Sequence, residues 1–202
     1  MNEFEFYVKN FNYLNNTEDI DISFVPAIQR RRMSSLDKAT LSVLNKTFSD
    51  EVRNVIFSSR YGQEDRLVRL IDQYTNNNEV SPNVFTCSVH NYSVGFFVRD
   101  RHKTITYNAL SAHENSIFAG LLACVISDYD NNLFCYSDTS EGIIKSLGLN
   151  ISNKSSDNSE KYKITMNTND FSEDVFEDYV KLFDGGIDVL KSSKYTIEKV
   201  KQ

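Results

Sequence analysis

The feature that most constrains this chain is the segment 113–127, whose second half is an unbroken apolar run from residue 117 to residue 126. A helix that is apolar on nearly every face has to be covered on more than one side. Ala119, Gly120 and Ala123 among bulky neighbours predict close packing against another layer. The run is far shorter than the roughly 18 residues a membrane helix needs. It therefore reads as the interior helix of a water-soluble layered fold.

The elements around it alternate. Residues 4–8 are aromatic-rich and partly alternating, which predicts a strand. From Ser34 the period turns helical: Leu36, Ala39, Val43, Leu44 and Phe48 recur at three- and four-residue steps, with Ser34 or Ser35 as N-cap. Residues 54–58 predict a strand leading through Gly62 into a helix with the face Leu67, Leu70, Ile71 and Tyr74. Ser81-Pro82 opens a further segment with proline suited to a first helical turn. Strands are predicted at 104–110, 133–137 and 162–168, a surface loop at 150–160, and an amphipathic acidic helix carrying Val175, Phe176, Tyr179, Val180 and Phe183. Such an order predicts a layered α/β fold with a largely parallel sheet. With 202 residues and no clear linker, the whole chain, 1–202, reads as one domain.

Composition narrows the function. Hydrophobic residues at 40% and charged residues at 25% exclude wholesale disorder. Acids at Glu3 and Glu5 stand where a secretory signal has Lys or Arg. Three widely spaced cysteines, Cys87, Cys124 and Cys135, fit reduced thiols, and a cytoplasmic location is expected. The net charge of -6 argues against nucleic acid as a partner. Within it, residues 25–70 hold nine Lys/Arg against five Asp/Glu, while 128–202 hold nine bases against fourteen acids. The basic stretch centres on Arg30, Arg31 and Arg32, which reads either as a surface for an acidic or phosphorylated partner or as a solvated loop.

Motifs for catalysis are sparse. No Gly-x-Ser-x-Gly elbow, Gly-x-Gly-x-x-Gly turn or Gly-x-x-x-x-Gly-Lys loop occurs, so neither an ordinary α/β-hydrolase nor a nucleotide-binding reading has its central residues. Cys87 and His90 lie three residues apart, on one face if helical, which suits a thiol–imidazole pair or part of a metal site. Further ligands at close spacing are missing, so no metal and no cofactor is expected. A small acyl-thioester-handling enzyme using Cys87 and His90 is the alternative reading.

Three motifs in combination carry a family resemblance. Pro26-Ala27-Ile28-Gln29-Arg30-Arg31-Arg32-Met33-Ser34 is followed by Ser58-Ser59-Arg60-Tyr61-Gly62-Gln63-Glu64 and then by Ser88-Val89-His90-Asn91 with Gly95. Over about residues 24–141 the chain resembles the short ketosynthase-like, chain-length-factor-like proteins of bacterial aryl polyene and type II polyketide clusters. The resemblance implies the N-terminal half of a thiolase fold. In active ketosynthases the nucleophilic Cys occupies the tight turn between a strand and a buried helix, where the helix N-terminus favours the thiolate. The corresponding turn here spans Tyr107 to Ala112, with Leu110 aligned at the Cys position. Leucine forms no thioester. The family draws its oxyanion-stabilising His or Asn from a second half that a chain of this length is not expected to contain.

The resemblance thus implies a noncatalytic subunit. It would form a heterodimer with a competent ketosynthase and support an acyl carrier protein, a homodimer being the other arrangement. Thiolase-fold subunits pair through the strand entering the nucleophile turn, here Thr104, Ile105, Thr106, Tyr107 and Asn108. Arg30, Arg31 and Arg32 would meet the carrier protein, while Ser88, His90 and Asn91 would form a buried polar network. Residues 142–202 have no counterpart in the resemblance.

Overall fold

The computed structural model describes residues 2–16, 19–77, 79–99, 101, 104–140, 142–167 and 173–201. In chain order the elements are β1 (Glu3–Leu14), α1 (Ala27–Arg30), α2 (Ser35–Thr47), β2 (Asn54–Ser58), α3 (Glu64–Asn77), α4 (Pro82–Ser88), α5 (Tyr92–Arg99) and β3 (Thr106–Leu110). A 3-10 turn at His113–Asn115 then leads into α6 (Ser116–Val125), β4 (Asn131–Ser140), β5 (Ile143–Ser152), β6 (Glu160–Met166), α7 (Phe176–Phe183), β7 (Val189–Lys191) and β8 (Tyr195–Val200).

Among the described residues all eight strands join one sheet, in the order β3-β2-β4-β5-β1-β6-β8-β7. Side chains alternate between faces along a strand, and on β2 every residue is buried. Val55 and Phe57 enter one core with Leu133 and Cys135 of β4 and the apolar faces of α2 and α5. Ile56 and Phe134 enter the other, with Ile117, Leu121 and Cys124 of α6 and Phe176, Tyr179 and Phe183 of α7. The result is a sheet between two helical layers. Gly120 lets α6 approach β2, since a Cβ there would lie 2.7 Å from Ser58 Oγ. The covered helix expected from the apolar run is α6, starting at Ser116 rather than at His113.

Local signals account for several boundaries. Ser34 Oγ accepts the Asp37 N–H at 3.0 Å, and the Ser34 N–H donates to Asp37 Oδ2 at 2.8 Å, a capping box that starts α2. Pro82 opens α4 at its first turn. The strand expected at 54–58 has those bounds.

The sheet corrects the expected parallel arrangement. Only β2 with β3 and β2 with β4 pair parallel; the other five pairings are antiparallel. The expectation overlooked β5, which folds back on β4, because Lys145, Gly148 and Asn150 interrupt its apolar pattern. The expected loop at 150–160 therefore begins later. Asn150 is buried, donating to Thr47 O at 3.0 Å and Ser49 Oγ at 3.0 Å. The strand expected at 162–168 is β6, and Thr168 lies outside the described residues.

A second correction concerns α3. Of its apolar stripe only Leu70 is buried, whereas Leu67, Ile71 and Tyr74 are more than half exposed, at 53%, 57% and 60%. The helix lies against α4 rather than on the sheet. Helical periodicity reports an apolar stripe but not what covers it. No helix among the described residues is long and apolar enough to cross a membrane.

Candidate functional site

Parallel strands open their carboxyl ends toward ligands and partners, and here β2, β3 and β4 end around the turn that enters α6. Leu110 is the last residue of β3, half-buried against the α6-side core. Its carbonyl accepts the Ser59 N–H at 3.3 Å. Three residues later His113 adopts φ 54°, the one positive φ on a non-glycine residue among those described. Such a conformation costs energy and is held by its surroundings. Ser116 supplies part of the hold: its hydroxyl donates to His113 O at 2.7 Å and accepts the Ala112 N–H at 3.0 Å. Glu114 supplies the rest, with Oε2 at 2.6 Å from His113 Nδ1 and Oε1 at 2.6 Å from Arg60 Nη2. Burial pushes the Glu114 carboxyl up, but its own backbone N–H, Arg60 and His113 outweigh this and hold it below the usual value.

A cavity of about 220 Å³ lies beside this turn, walled by Arg60, His113, Glu114, Tyr136, Asp138 and Asp174. Asp138, at the end of β4, accepts the Arg60 N–H at 2.6 Å and the Tyr61 N–H at 3.3 Å, fixing the loop after β2. Asp174 reaches the N-terminus of α6. Its Oδ2 accepts the Phe118 N–H at 2.8 Å, and its Oδ1 accepts the hydroxyls of Tyr195 at 2.7 Å and Tyr179 at 3.0 Å. Burial pushes both aspartates above the usual carboxylate value, against hydrogen bonds that favour their charged forms.

A larger cavity of about 950 Å³ opens between the Arg31–Arg32 turn, α3 and α4, with Arg69 and Cys87 also on its wall. Arg66, on its wall, enters a buried ion pair behind it. Arg66 Nη2 lies 2.8 Å from Asp37 Oδ2, with the Asp37 side chain fully buried and Arg66 13% exposed. Asp37 Oδ1 accepts Gln63 Nε2 at 2.7 Å and Ser93 Oγ at 2.6 Å. Arg66 also donates to Cys87 O at 2.5 Å and Arg32 O at 2.8 Å, so one guanidinium joins α2, α3, α4 and the arginine turn. Sequence reading missed this node. Its one local signal is the capping box, Ser34-x-x-Asp37.

The residues singled out in sequence fall in three places. Arg30 is half-buried at the end of α1, and Arg31 and Arg32 are exposed on the rim of the larger cavity. Cys87 and His90 do not share a helical face, because α4 stops at Ser88 and Val89 is extended at φ -71° and ψ 145°. His90 turns toward β3, with Nε2 3.2 Å from Leu110 O and its ring 5.4 Å from that of Phe57. The Cys87 thiol instead contacts Tyr92, whose hydroxyl is pushed up to about 12 by burial and by that thiol. Nor is there a buried Ser88–His90–Asn91 network. Ser88 is half-buried with its hydroxyl on Phe85 O at 2.8 Å, and Asn91 is exposed. The turn after Ser88 directs these three side chains apart. Cys124 and Cys135 are fully buried, and burial pushes both thiols up, Cys135 to about 12. Among the described residues no group of three or more His, Cys, Asp or Glu is placed to hold a metal ion.

The third place is the sheet edge. Among the described residues β3 pairs only with β2, leaving its other side open. Thr104, Thr106, Tyr107 and Asn108 are exposed, while Ile105 is buried. From 104 to 110 there is no charge and no proline, the devices by which a free edge is normally kept from pairing.

Comparison with known proteins agrees with this geometry. The family model for the N-terminal domain of β-ketoacyl synthase matches residues 8–138. A chain of the complex of the ketosynthase ApeO with its chain length factor ApeC from Xenorhabdus doucetiae superposes with a TM-score of 0.68 at 17% identity, covering 91% of this chain and 84% of that one. The ishigamide ketosynthase/chain length factor gives a TM-score of 0.53 at 13% identity, with 66% of this chain and 47% of that one covered. No curated protein matches the sequence.

Proposed function

The chain belongs to the β-ketoacyl synthase N-terminal-domain family, and from that premise we propose that it is a noncatalytic, chain-length-factor-like subunit. It pairs with a competent ketosynthase and supports that enzyme and an acyl carrier protein in aryl polyene, polyketide or fatty-acid-like biosynthesis in the cytoplasm. The observation that carries this reading is the open, uncharged β3 edge leading into a turn that holds Leu110, Ser111, Ala112 and His113 but no thiol. A strand edge of this kind accepts a partner strand through main-chain hydrogen bonds.

The neighbouring surface has the character of an interface. Leu67, Ile71 and Tyr74 of α3 and Phe85 of α4 are all exposed. His90, in the turn after α4, touches Leu110 O at the end of β3. The same ketosynthase subunit would cover these exposed side chains, adding apolar area to the strand pairing. Arg30, Arg31 and Arg32 would attract the acidic carrier protein and its phosphate. The separate partners of Cys87 and His90 give the thiol-enzyme alternative no support.

The test is co-expression of the tagged chain with a ketosynthase from the same genome, followed by size-exclusion chromatography and mass spectrometry. The expected result is near-stoichiometric recovery of the ketosynthase, lost when Tyr107→Asp and Ile71→Asp are combined in a chain that remains folded. Recovery of the chain alone overturns the reading.

A further inference from the structure

The segment before α7 has a role that reaches back to the α6 turn. The N-terminus of a helix presents unpaired N–H groups and the positive end of its dipole, and it stabilises an anion placed there. In α6 that place is taken. Asp174 Oδ2 accepts the Phe118 N–H at 2.8 Å, and the Asp174 carboxylate also meets the Ile117 N–H. Its own N–H donates to Glu114 O at 2.9 Å, strapping the segment across the 3-10 turn. Two tyrosines hold the carboxylate from behind. Tyr179 and Tyr195 both donate to Oδ1, and the Tyr195 ring stacks on Phe118 with centroids 3.6 Å apart and planes within 2°. Both tyrosines are buried, at 1% exposure each.

We infer that Asp174 is a built-in anion for the N-terminal end of α6, so that the β3–α6 turn cannot lend that helix end to a thiolate or an oxyanion. An anionic reacting group at the turn would compete with a carboxylate fixed by two side-chain hydroxyls and the backbone, and would be repelled by it. This deepens the noncatalytic half of the proposed function and is independent of any partner. It also gives residues outside the family match, which ends at residue 138, a direct effect on the turn.

A thiol placed at the strained position reads the effect. In a Cys87→Ser background, His113→Cys puts the thiol on the turn while Cys124 and Cys135 stay buried. The charged groups lining the cavity around position 113 are Arg60, Glu114, Asp138, Lys145, Glu173, Asp174 and Glu177. Of these side chains, only that of Asp174 accepts an α6 backbone N–H among the described residues. The rate of iodoacetamide alkylation at residue 113, followed by peptide mass against pH, gives the thiol's midpoint. With Asp174 present the midpoint is expected at or above the ordinary value of about 8.5. Adding Asp174→Asn is expected to lower it by about one unit, a roughly tenfold gain in thiolate below the midpoint. Equal midpoints in two folded variants overturn the inference. If Asp174→Asn does not fold, the Phe118 amide proton of the unaltered chain serves instead: its chemical shift must follow the titration of the Asp174 carboxyl, and a flat response overturns the inference. A failure to bind a ketosynthase would leave both readouts unchanged, so the two readings fail separately.

Discussion

Replacing Arg66 with methionine tests how the larger cavity is built. The substitution keeps an unbranched side chain but removes the cation 2.8 Å from Asp37 Oδ2, a carboxylate with no exposed surface. Breaking a buried pair by deleting one partner costs about 3–5 kcal/mol, because the remaining charge is left uncompensated. Asp37 keeps hydrogen bonds from the Ser34 N–H, Gln63 and Ser93, which places the expected loss near the lower end, about 3 kcal/mol. Arg66 also donates to Cys87 O and Arg32 O; both acceptors can turn to water, so these add about 1 kcal/mol at most. For a chain of this size about 3 kcal/mol corresponds to a fall in Tm of roughly 6–12 °C.

Urea denaturation followed by circular dichroism measures the loss, and a double-mutant cycle assigns it. With Asp37→Asn alongside Arg66→Met the stranded charge is gone, so the double variant should be more stable than Arg66→Met alone by about 1–2 kcal/mol. The reasoning is refuted if Arg66→Met costs less than about 1 kcal/mol, or if removing the carboxylate as well makes matters worse by the full cost of a second, independent loss.

Three further outcomes follow from the geometry. Phe176 and Phe183 are 5% and 3% exposed in the α6-side core; replacing both with Asp is expected to abolish soluble expression, and a soluble, cooperatively melting double variant would contradict that role for α7. At Gly120 an added Cβ would lie 2.7 Å from Ser58 Oγ, so Gly120→Ala is expected to cost about 1–3 kcal/mol by thermal melting despite alanine's better helix propensity. Carboxyl-carbon NMR should place the Asp138 and Asp174 midpoints above 3.8 and the Glu114 midpoint below 4.5. The signs are opposite: the two aspartates remove stability as pH rises through the window above 3.8, whereas the contribution of Glu114 is present above 4.5 and is lost as pH falls through its folded midpoint.

What could be read in the sequence was local. The period of Leu36, Ala39, Val43 and Leu44 and the capping pair Ser34 and Asp37 fix α2, and the apolar run fixes α6 as the covered helix. Strand pairing is not local. β5 looks polar in part because Asn150 is satisfied by Thr47 and Ser49, more than 100 positions away in sequence. The α3 stripe was legible as a helix, but its exposure depends on which element lies over it. The three arginines and the β3 edge were singled out from composition and resemblance, and the structure leaves Arg31, Arg32 and most of that edge exposed. The Asp37–Arg66 node and the Asp174 strap were not found, because each joins residues far apart in the chain through single hydrogen bonds that leave no periodic trace. His113 gave no signal either. A positive φ is imposed by the turn around it, through Ser116 and Glu114, and not by the residue's own preference.

The two halves of the chain act on one end of the sheet. Because β2 and β4 are buried on both faces, their carboxyl ends form a rigid platform: Arg60 lies in the loop leaving β2, Asp138 near the end of β4, and the α6 turn follows β3 beside them. The N-terminal elements leave the β3 edge and the α3 stripe exposed, where the proposed partner subunit would add. The C-terminal elements bring Asp174, Tyr179 and Tyr195 to the N-terminal end of α6 and set a carboxylate there. On the proposed reading, a chain that offers a pairing edge while occupying its own anion-binding position would shape a neighbour's site rather than form one. That division also predicts which changes separate the two roles: substitutions at Tyr107 or Ile71 should affect association while leaving the alkylation midpoint at position 113 unmoved, and Asp174→Asn should do the reverse.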